Sequence, residues 1–168
     1  NLIEKNNTFI DSYFITTHPD ELKTSISRNK LNHLPIPVDE NIEDLNIFEN
    51  NNRYKDLFFA LSHGVNFGKL KIGKKDERET FISELINKYS NINYNILGIS
   101  NESPKWNYNY YNELMKCKMA LNLSRGKPLK YTSSNRIASL IGNGIYTFID
   151  KGTQFNKIFN DDEVGSYK

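Results

Sequence analysis

Residues 119–150, MALNLSRGKPLKYTSSNRIASLIGNGIYTFID, decide the fold of this chain. The stretch opens with MALNLS and closes with IYTFID, two largely apolar segments of strand length. Between them, SNRIASLIGNG begins at residue types suited to a helix N-cap and ends at a glycine, which predicts a helix. A strand, a helix and a second strand in this order predict one unit of a parallel sheet.

The same alternation precedes this stretch. DLFFALS (residues 56–62) and YNILGI (94–99) are predicted as strands, and YNYYNELMKCK (108–118) as a helix. DERETFISELINKY (76–89) has apolar residues every four positions and acids in its first turn, which predicts an amphipathic helix. Apolar strands separated by helices imply a parallel sheet covered on both faces. We therefore predict an α/β fold, a Rossmann-like parallel sheet flanked by helices.

The first third of the chain is less regular. SYFIT (residues 12–16) predicts a strand and HPDELKTSIS (18–27) a helix with proline in its first turn. LNHLPIP (31–37) is predicted to be extended, because its prolines remove donors and disfavour helix in their neighbours. Residues 38–52 are acidic and rich in asparagine, which is typical of a linker. Near the other end, TQFNKIF (153–159) predicts a last, weak helix.

Composition limits the function classes. The 168 residues carry a formal charge of only +2, with acids and bases interspersed, so we expect no nucleic-acid partner. The single cysteine, Cys117, can build neither a disulfide nor a cysteine-based zinc site, which favours a cytoplasmic location. No signal-peptide pattern and no run near the roughly 20 apolar residues of a membrane-spanning helix is present. Peripheral membrane association stays open.

Three strand-to-helix loops are candidates for binding, because ligands of such sheets lie beyond the carboxyl ends of the strands. The first is residues 62–75, SHGVNFGKLKIGKK, where Gly64 lets the backbone approach a ligand and His63 could donate to a phosphate or sugar oxygen. The loop matches neither a Walker A loop nor the dinucleotide fingerprint. A solvated lysine-rich loop, with His63 bonded to backbone, is an equal alternative.

The second loop is residues 124–134, SRGKPLKYTSS, and it leads into the predicted helix of the deciding stretch. Ser133, Ser134 and Asn135 are N-cap residue types, and Arg136 falls in the first turn. Free amides, hydroxyls and a guanidinium at a helix N-terminus suit an anion, and the whole cluster favours phosphate binding. Simple capping by one serine, with Arg136 in a surface ion pair, is the alternative.

The third loop is residues 99–107, ISNESPKWN. Trp106 could stack on a nucleobase and Glu102 could accept hydrogen bonds from ribose hydroxyls. A single tryptophan in such a loop is also a common packing anchor, and this alternative is the stronger of the two.

Three segments carry a resemblance to a known family: YYNELMKCKMALNLSRG, KYTSSNRIASLIGNGIYTFID and FNDDEVGSY. Together they resemble the C-terminal, donor-binding domain of bacterial glycosyltransferases with two facing Rossmann-like domains, the GT-B architecture. More narrowly, they resemble the group 1 branch that contains spore-maturation-type and surface-polysaccharide transferases. The resemblance covers residues 57–167 and is sharpest over 110–150.

The resemblance also implies a domain organisation. HLPIPVD, residues 33–39, resembles the segment that leads from the first domain of such enzymes to the second. Residues 1–37 would then be the end of the N-terminal, acceptor-side domain, and residues 38–53 the interdomain linker. Residues 54–168 would form the nucleotide-sugar-binding domain, truncated before its usual C-terminal helix.

The implied activity is transfer of a sugar from a nucleotide diphosphate-sugar to the hydroxyl of a glycan or lipid-linked acceptor, in surface polysaccharide synthesis. The resemblance implies no cofactor and no metal, because basic side chains and helix N-termini stabilise the leaving diphosphate. A fragment lacking most of the acceptor half is expected to be inactive alone. The candidate donor-binding residues are His63, Gly64, Arg125, Lys130, Ser133, Ser134, Asn135, Arg136 and Ser139.

The residue for base catalysis is not identified. A general base for an inverting reaction would belong to the first domain, of which the chain carries His18. His18 is a weak candidate for that base, since a histidine at the start of a helix explains its position better.

One departure from the family's pattern concerns Ser139. These transferases commonly have a glutamate three residues after the arginine and five before the glycine, and it holds the donor ribose; here Arg136 and Gly144 both point to Ser139. A serine lacks the charge and bidentate reach of a carboxylate. The departure favours one alternative, a non-catalytic nucleotide- or glycan-binding module. A further alternative is another doubly wound domain, such as a response regulator. That function requires acidic residues at the strand ends, and the segments FFALSHG and YNILGIS of this chain contain none.

Overall fold

The computed structural model describes residues 5, 7–62, 77–99 and 102–168, and the backbone of residues 65–66 and 69–70. Its helices of regular α type are α1 (Glu77–Lys88), α2 (Asn107–Leu114) and α3 (Asn135–Gly142). Its strands are β1 (Tyr13–Ile15), β2 (Leu31–His33), β3 (Lys55–Ala60), β4 (Val65–Asn66), β5 (Lys69–Leu70), β6 (Tyr94–Leu97), β7 (Cys117–Asn122), β8 (Tyr146–Asp150) and β9 (Val164–Tyr167).

Five strands form the main sheet, in the order β6-β3-β7-β8-β9, and all neighbours are parallel. The predicted α/β fold with a Rossmann-like parallel sheet flanked by helices is confirmed. Counted along the chain, the strand order is 2-1-3-4-5, so the connections turn in opposite directions from β3 and from β7. The carboxyl ends of these two strands therefore mark the switch point, where such sheets bind ligands.

Both faces of the sheet are buried, which explains why its strands are apolar throughout. On one face, Phe58 and Ala120 pack against Leu114 of α2 and Leu140 of α3. On the other face, Phe59 and its neighbours pack against Ile82 of α1. Alternate residues of one strand thus serve opposite layers. Full burial of a side chain of this size contributes roughly 1.5–3 kcal/mol, so these contacts fix the helices that surround the switch point.

The first third of the chain forms a small parallel pair, β1 with β2. The predicted strand at residues 12–16 is present, but the predicted helix at 18–27 is not. Its place is taken by a 3-10 turn at Pro19–Glu21 and irregular backbone before a second 3-10 turn at Arg28–Lys30. The Thr24 hydroxyl accepts a hydrogen bond from the amide of Ile26, and such local bonds compete with helix.

The segment predicted as a linker packs closely on the end of α3. Ile47 is fully buried in the core between the sheet and α2 and α3. Its amide donates to the Asn143 carbonyl at 2.9 Å, and the amide of Leu45 donates to Asn143 Oδ1 at 3.2 Å. Residues 38–53 are therefore anchored against the sheet domain, which brings their side chains near α3.

The N-terminal pair of strands docks on the loop between β7 and α3. The amide of His18 donates to the Lys130 carbonyl at 3.0 Å, and the amide of Ser133 donates to the Thr16 carbonyl at 2.9 Å. Among the described residues, no helix combines the length and apolar character that crossing a membrane requires.

Candidate functional site

A cavity of about 590 Å³ opens at the carboxyl ends of β3 and β6, beside the first turns of α2 and α3. Its walls come from the carboxyl ends of β3 and β6, the segment before α2, and the helices α2 and α3. The anchored segment before β3 completes them, through Ile36, Pro37 and Glu43. The cavity therefore lies at the carboxyl edge of the sheet, next to the switch point between β3 and β7.

The Arg136 guanidinium lies across the switch point. Its Nη1 donates to the carbonyl of Leu123, just beyond β7, at 3.3 Å. Its central carbon also lies 5.6 Å from the ring centroid of Phe59 in β3, a cation–π distance. These contacts orient a permanent positive charge at the wall of the cavity.

A second cation, Lys105, also lines the cavity. Its ammonium is 2.8 Å from Glu113 Oε1, and Lys116 binds the other oxygen of that carboxylate at 3.0 Å. Burial opposes the charge of Glu113, but hydrogen bonds from Lys105, Lys116 and Asn95 outweigh it and lower the pKa of Glu113 to about 2. The Glu113 carboxylate is therefore ionised at neutral pH and holds Lys105 in place.

The start of α3 meets the cavity directly. Ser134 is its N-cap, and its hydroxyl accepts from the amide of Ile137 at 3.3 Å. Asn135, Arg136 and Ser139 line the cavity. The Ser139 Oγ is buried beside the Tyr110 phenol and has no well-aligned hydrogen-bond partner in the described part of the chain. The first turns of α3 thus present amides, a guanidinium and an unsatisfied hydroxyl to one space, a combination suited to an anion with hydroxyl groups.

Aromatic side chains form the wall next to Lys105. Trp106 is 51% exposed at the rim, and Tyr110 packs edge-on against Phe58 and Tyr111 at 5.3 and 5.4 Å between ring centroids. Burial raises the pKa of Tyr110 to about 12, and the opposing effects of Arg136 and Ser139 are smaller. The phenol is therefore protonated at neutral pH and can donate a hydrogen bond. An exposed indole at the rim offers a stacking surface.

The predicted donor-binding residues divide into groups. Asn135, Arg136 and Ser139 lie together in the cavity wall. Ser134 caps α3, which agrees with the alternative interpretation of simple helix capping by one serine. Ser133 is buried and accepts from the amide of Ile36 at 2.7 Å, so its hydroxyl fastens the preceding segment.

The remaining predicted residues lie elsewhere. The backbone of Lys130 is bonded to His18 and Glu21, and its ammonium lies 5.3 Å from the Tyr131 ring centroid. Arg125 is exposed in the loop after β7, and neither residue lines the cavity. His63 and Gly64 lie outside the described residues.

His18 has a structural position. Its Nδ1 accepts from the amide of Asp20 at 3.3 Å, so it caps the 3-10 turn that begins at Pro19. Partial burial, and then the charges of Lys130 and Arg28, lower the pKa of His18. The residue does not line the cavity. His18 thus lies at the start of a helical turn, the interpretation that the sequence favoured over a catalytic base.

The cavity wall also contains Glu43, Lys105, Tyr110 and Tyr111, which the sequence did not indicate as binding residues. A lysine directly before the suspected stacking residue Trp106, and two tyrosines one turn into α2, are signals that could have indicated three of them. Glu43 has no local signal, because only the tertiary fold brings it to α3. Glu102, in contrast, does not line the cavity.

Among the described residues, no three side chains of His, Cys, Asp or Glu converge in a way that could hold a metal ion. Comparison of the chain with protein-family models, with curated proteins and with solved structures gave no match.

Proposed function

We propose that the cavity binds the nucleoside diphosphate part of a nucleotide-sugar, and that the chain is the donor-binding half of a glycosyltransferase. The observation that carries the proposal is the convergence of Arg136, Lys105 and the first turn of α3 on one cavity beside the exposed Trp106. Cations and helix amides suit a diphosphate, and an indole suits a base.

The diphosphate is the leaving group of sugar transfer, so negative charge grows on it as the bond between the anomeric carbon of the sugar and the diphosphate oxygen breaks. Arg136 is already oriented by Leu123 and Phe59, and Lys105 is held by Glu113. Preorganised groups of this kind need no rearrangement when charge develops, and each is worth roughly 3 kcal/mol of transition-state stabilisation. The sugar then passes to the hydroxyl of a glycan or lipid-linked acceptor, in surface polysaccharide synthesis.

Calorimetric titration of the chain tests the binding step. The ligands are UDP, GDP, ADP, CDP and dTDP, followed by the sugar conjugates of any nucleotide that binds. We expect one nucleotide to bind with a micromolar to millimolar Kd, and Arg136→Ala to weaken it about 100-fold, the equivalent of roughly 3 kcal/mol. Lys127→Ala is the matched control, because Lys127 is an exposed cation of the loop before α3 that does not line the cavity. Binding that Arg136→Ala leaves unchanged contradicts the proposal.

Ser139 favours a second candidate, a nucleotide- or glycan-binding module without catalysis. Its hydroxyl occupies a wall of the cavity without the charge that a carboxylate would supply. The two candidates differ in turnover. A transferase, assayed with its complete acceptor-side domain and an acceptor, releases nucleoside diphosphate from the bound nucleotide-sugar, whereas a binding module retains the donor intact.

A further inference from the structure

Among the described residues that line the cavity, Glu43 is the only one with a carboxylate. It comes from the segment before β3, and not from the strands and helices that supply the cations. A carboxylate repels phosphate, so it has to face a different part of a bound nucleotide. Ionised carboxylates accept several hydrogen bonds, which suits neighbouring hydroxyl groups.

The Glu43 side chain is held in place by a tight turn. Its amide donates to the Asp39 carbonyl at 2.8 Å, and its Oε2 accepts from the amide of Asp39 at 2.9 Å. Asn41 closes the same turn by donating to Asp39 Oδ1 at 2.9 Å. Glu43 Oε1 makes no hydrogen bond to the described part of the chain. One oxygen is thus anchored, and the other is available to a ligand.

The turn is packed directly against α3. A Cβ atom added at Gly142 would lie 2.6 Å from Val38 Cγ1 and 2.9 Å from both Cβ and Cγ of Glu43. Only a glycine at this position allows so close an approach. Gly142 lies three residues after Ser139, so the two positions are neighbours on the surface of α3. Glu43 and the unsatisfied Ser139 hydroxyl therefore share one side of the helix and one cavity.

We propose that Glu43, together with Ser139, binds the 2′- and 3′-hydroxyls of the ribose of the bound nucleotide. The inference rests on the proposed function. The ribose lies between the diphosphate and the base of a nucleotide. In the cavity, α3 carries Arg136 one turn before Ser139, and Tyr110 of the aromatic wall interacts with both. Nucleotide binding then also fastens the segment before β3 to the sheet domain.

Calorimetry with three kinds of ligand tests this assignment: ADP, GDP, UDP and CDP, their 2′,3′-dideoxy counterparts, and pyrophosphate. Glu43→Gln keeps the size of the side chain and removes its charge. We expect it to weaken the binding of the ribonucleotide roughly tenfold or more, the loss of a charge-assisted hydrogen bond. Binding of the dideoxynucleotide and of pyrophosphate should not change.

Two further variants complete the experiment. Glu40→Gln makes the same charge change on an exposed residue of the same segment outside the cavity, and should have no effect. Gly142→Ala changes no charge but pushes the turn away from α3, and should lower the ratio of ribonucleotide to dideoxynucleotide affinity several-fold. Retained pyrophosphate binding shows that both variants keep their fold.

The outcomes separate the two proposals. If ribonucleotides bind and depend on Arg136, but Glu43→Gln binds them as the wild type does, the assignment of Glu43 is wrong and the proposed function stands. The same conclusion follows if Glu43→Gln weakens the binding of the dideoxynucleotide as much as the binding of the ribonucleotide. If none of the ligands binds to the wild-type chain, the proposed function fails and the role of Glu43 with it.

Discussion

The first and second parts of the stretch from residue 124 to residue 139 have different roles, although the sequence suggests a single phosphate-binding site. At the N-terminal end, Lys130 and Ser133 contact the strand pair and the segment that precede the sheet domain. At the C-terminal end, Arg136 and Ser139 face the cavity. The boundary is the N-cap Ser134, where the backbone changes from extended to helical. Neighbouring polar residues of one loop thus serve an interface and a site.

The largest expected effect compares the two cations of this stretch. Arg136→Ala should weaken nucleoside diphosphate binding about 100-fold, or roughly 3 kcal/mol, because it removes an oriented charge from the cavity. Lys130→Ala should leave the Kd unchanged, since its ammonium lies over Tyr131 and outside the cavity. Titration calorimetry measures both. An equal loss of nucleotide affinity in the two variants would show that the whole stretch forms one phosphate-binding site.

The next effect concerns pH and the second cation, Lys105. The folded protein holds the pKa of Glu113 at about 2, below the ordinary value of 4.5. The resulting stabilisation is complete above about pH 5 and is lost as the pH falls toward 2, on the order of 2 kcal/mol when solvent screening is allowed for. Urea unfolding between pH 6 and pH 2.5 measures it. Glu113→Gln should flatten this dependence, and a wild-type slope in the variant would contradict the assignment.

A smaller effect is expected at the interface end. Ser133→Ala leaves the amide of Ile36 without its buried acceptor and should lower the free energy of unfolding by about 1–2 kcal/mol. Nucleotide affinity should stay within twofold of the wild type. Chemical denaturation and calorimetry on the same preparation separate the two quantities. A large loss of affinity with unchanged stability would place Ser133 in the site.

The smallest effect lies at the boundary itself. Ser134→Ala removes the N-cap bond to the amide of Ile137, and such losses cost about 1 kcal/mol of stability. Ser134→Asp restores a capping side chain and should recover that stability. The repulsion between the new carboxylate and a diphosphate should nevertheless weaken nucleotide binding. Unchanged affinity in Ser134→Asp would mean that the anion does not approach the start of α3.

Much of the sheet domain could be predicted from sequence. The four strands from β3 to β8 that build the main sheet, and α1 to α3, follow apolar runs and capping residues that local chemistry fixes. The fifth strand, β9, was missed because VGSY is short and follows an acidic turn. Its pairing with β8 comes from tertiary contact and not from its own pattern. The helix predicted at residues 18–27 is absent, and the hydrogen bond from the Ile26 amide to the Thr24 hydroxyl is a local bond that competes with helix.

The site was predictable in part. Asn135 and Arg136 were identified from loop position and residue type, and Ser139 from the resemblance. Stacking by Trp106 was the weaker of two alternatives for its loop. All four residues line one cavity. Lys130 could not be excluded from sequence, because its partners lie more than 100 residues earlier, at His18 and Glu21. Glu43 could not be found for the same reason: its place against α3 depends on the long-range anchoring of Ile47 to Asn143.

The single tryptophan of the chain gives the most direct test of the central claim, that the cavity binds a nucleotide. Trp106 lies half-exposed at the rim, so a stacked base should change its fluorescence. The measurement is a titration of the emission of Trp106 with UDP, GDP, ADP, CDP and dTDP, in the wild type and in Arg136→Ala. The account predicts a saturable change with at least one nucleotide that shifts to about 100-fold higher concentration in the variant. A titration without saturation for every nucleotide, or one that Arg136→Ala leaves unchanged, would contradict it.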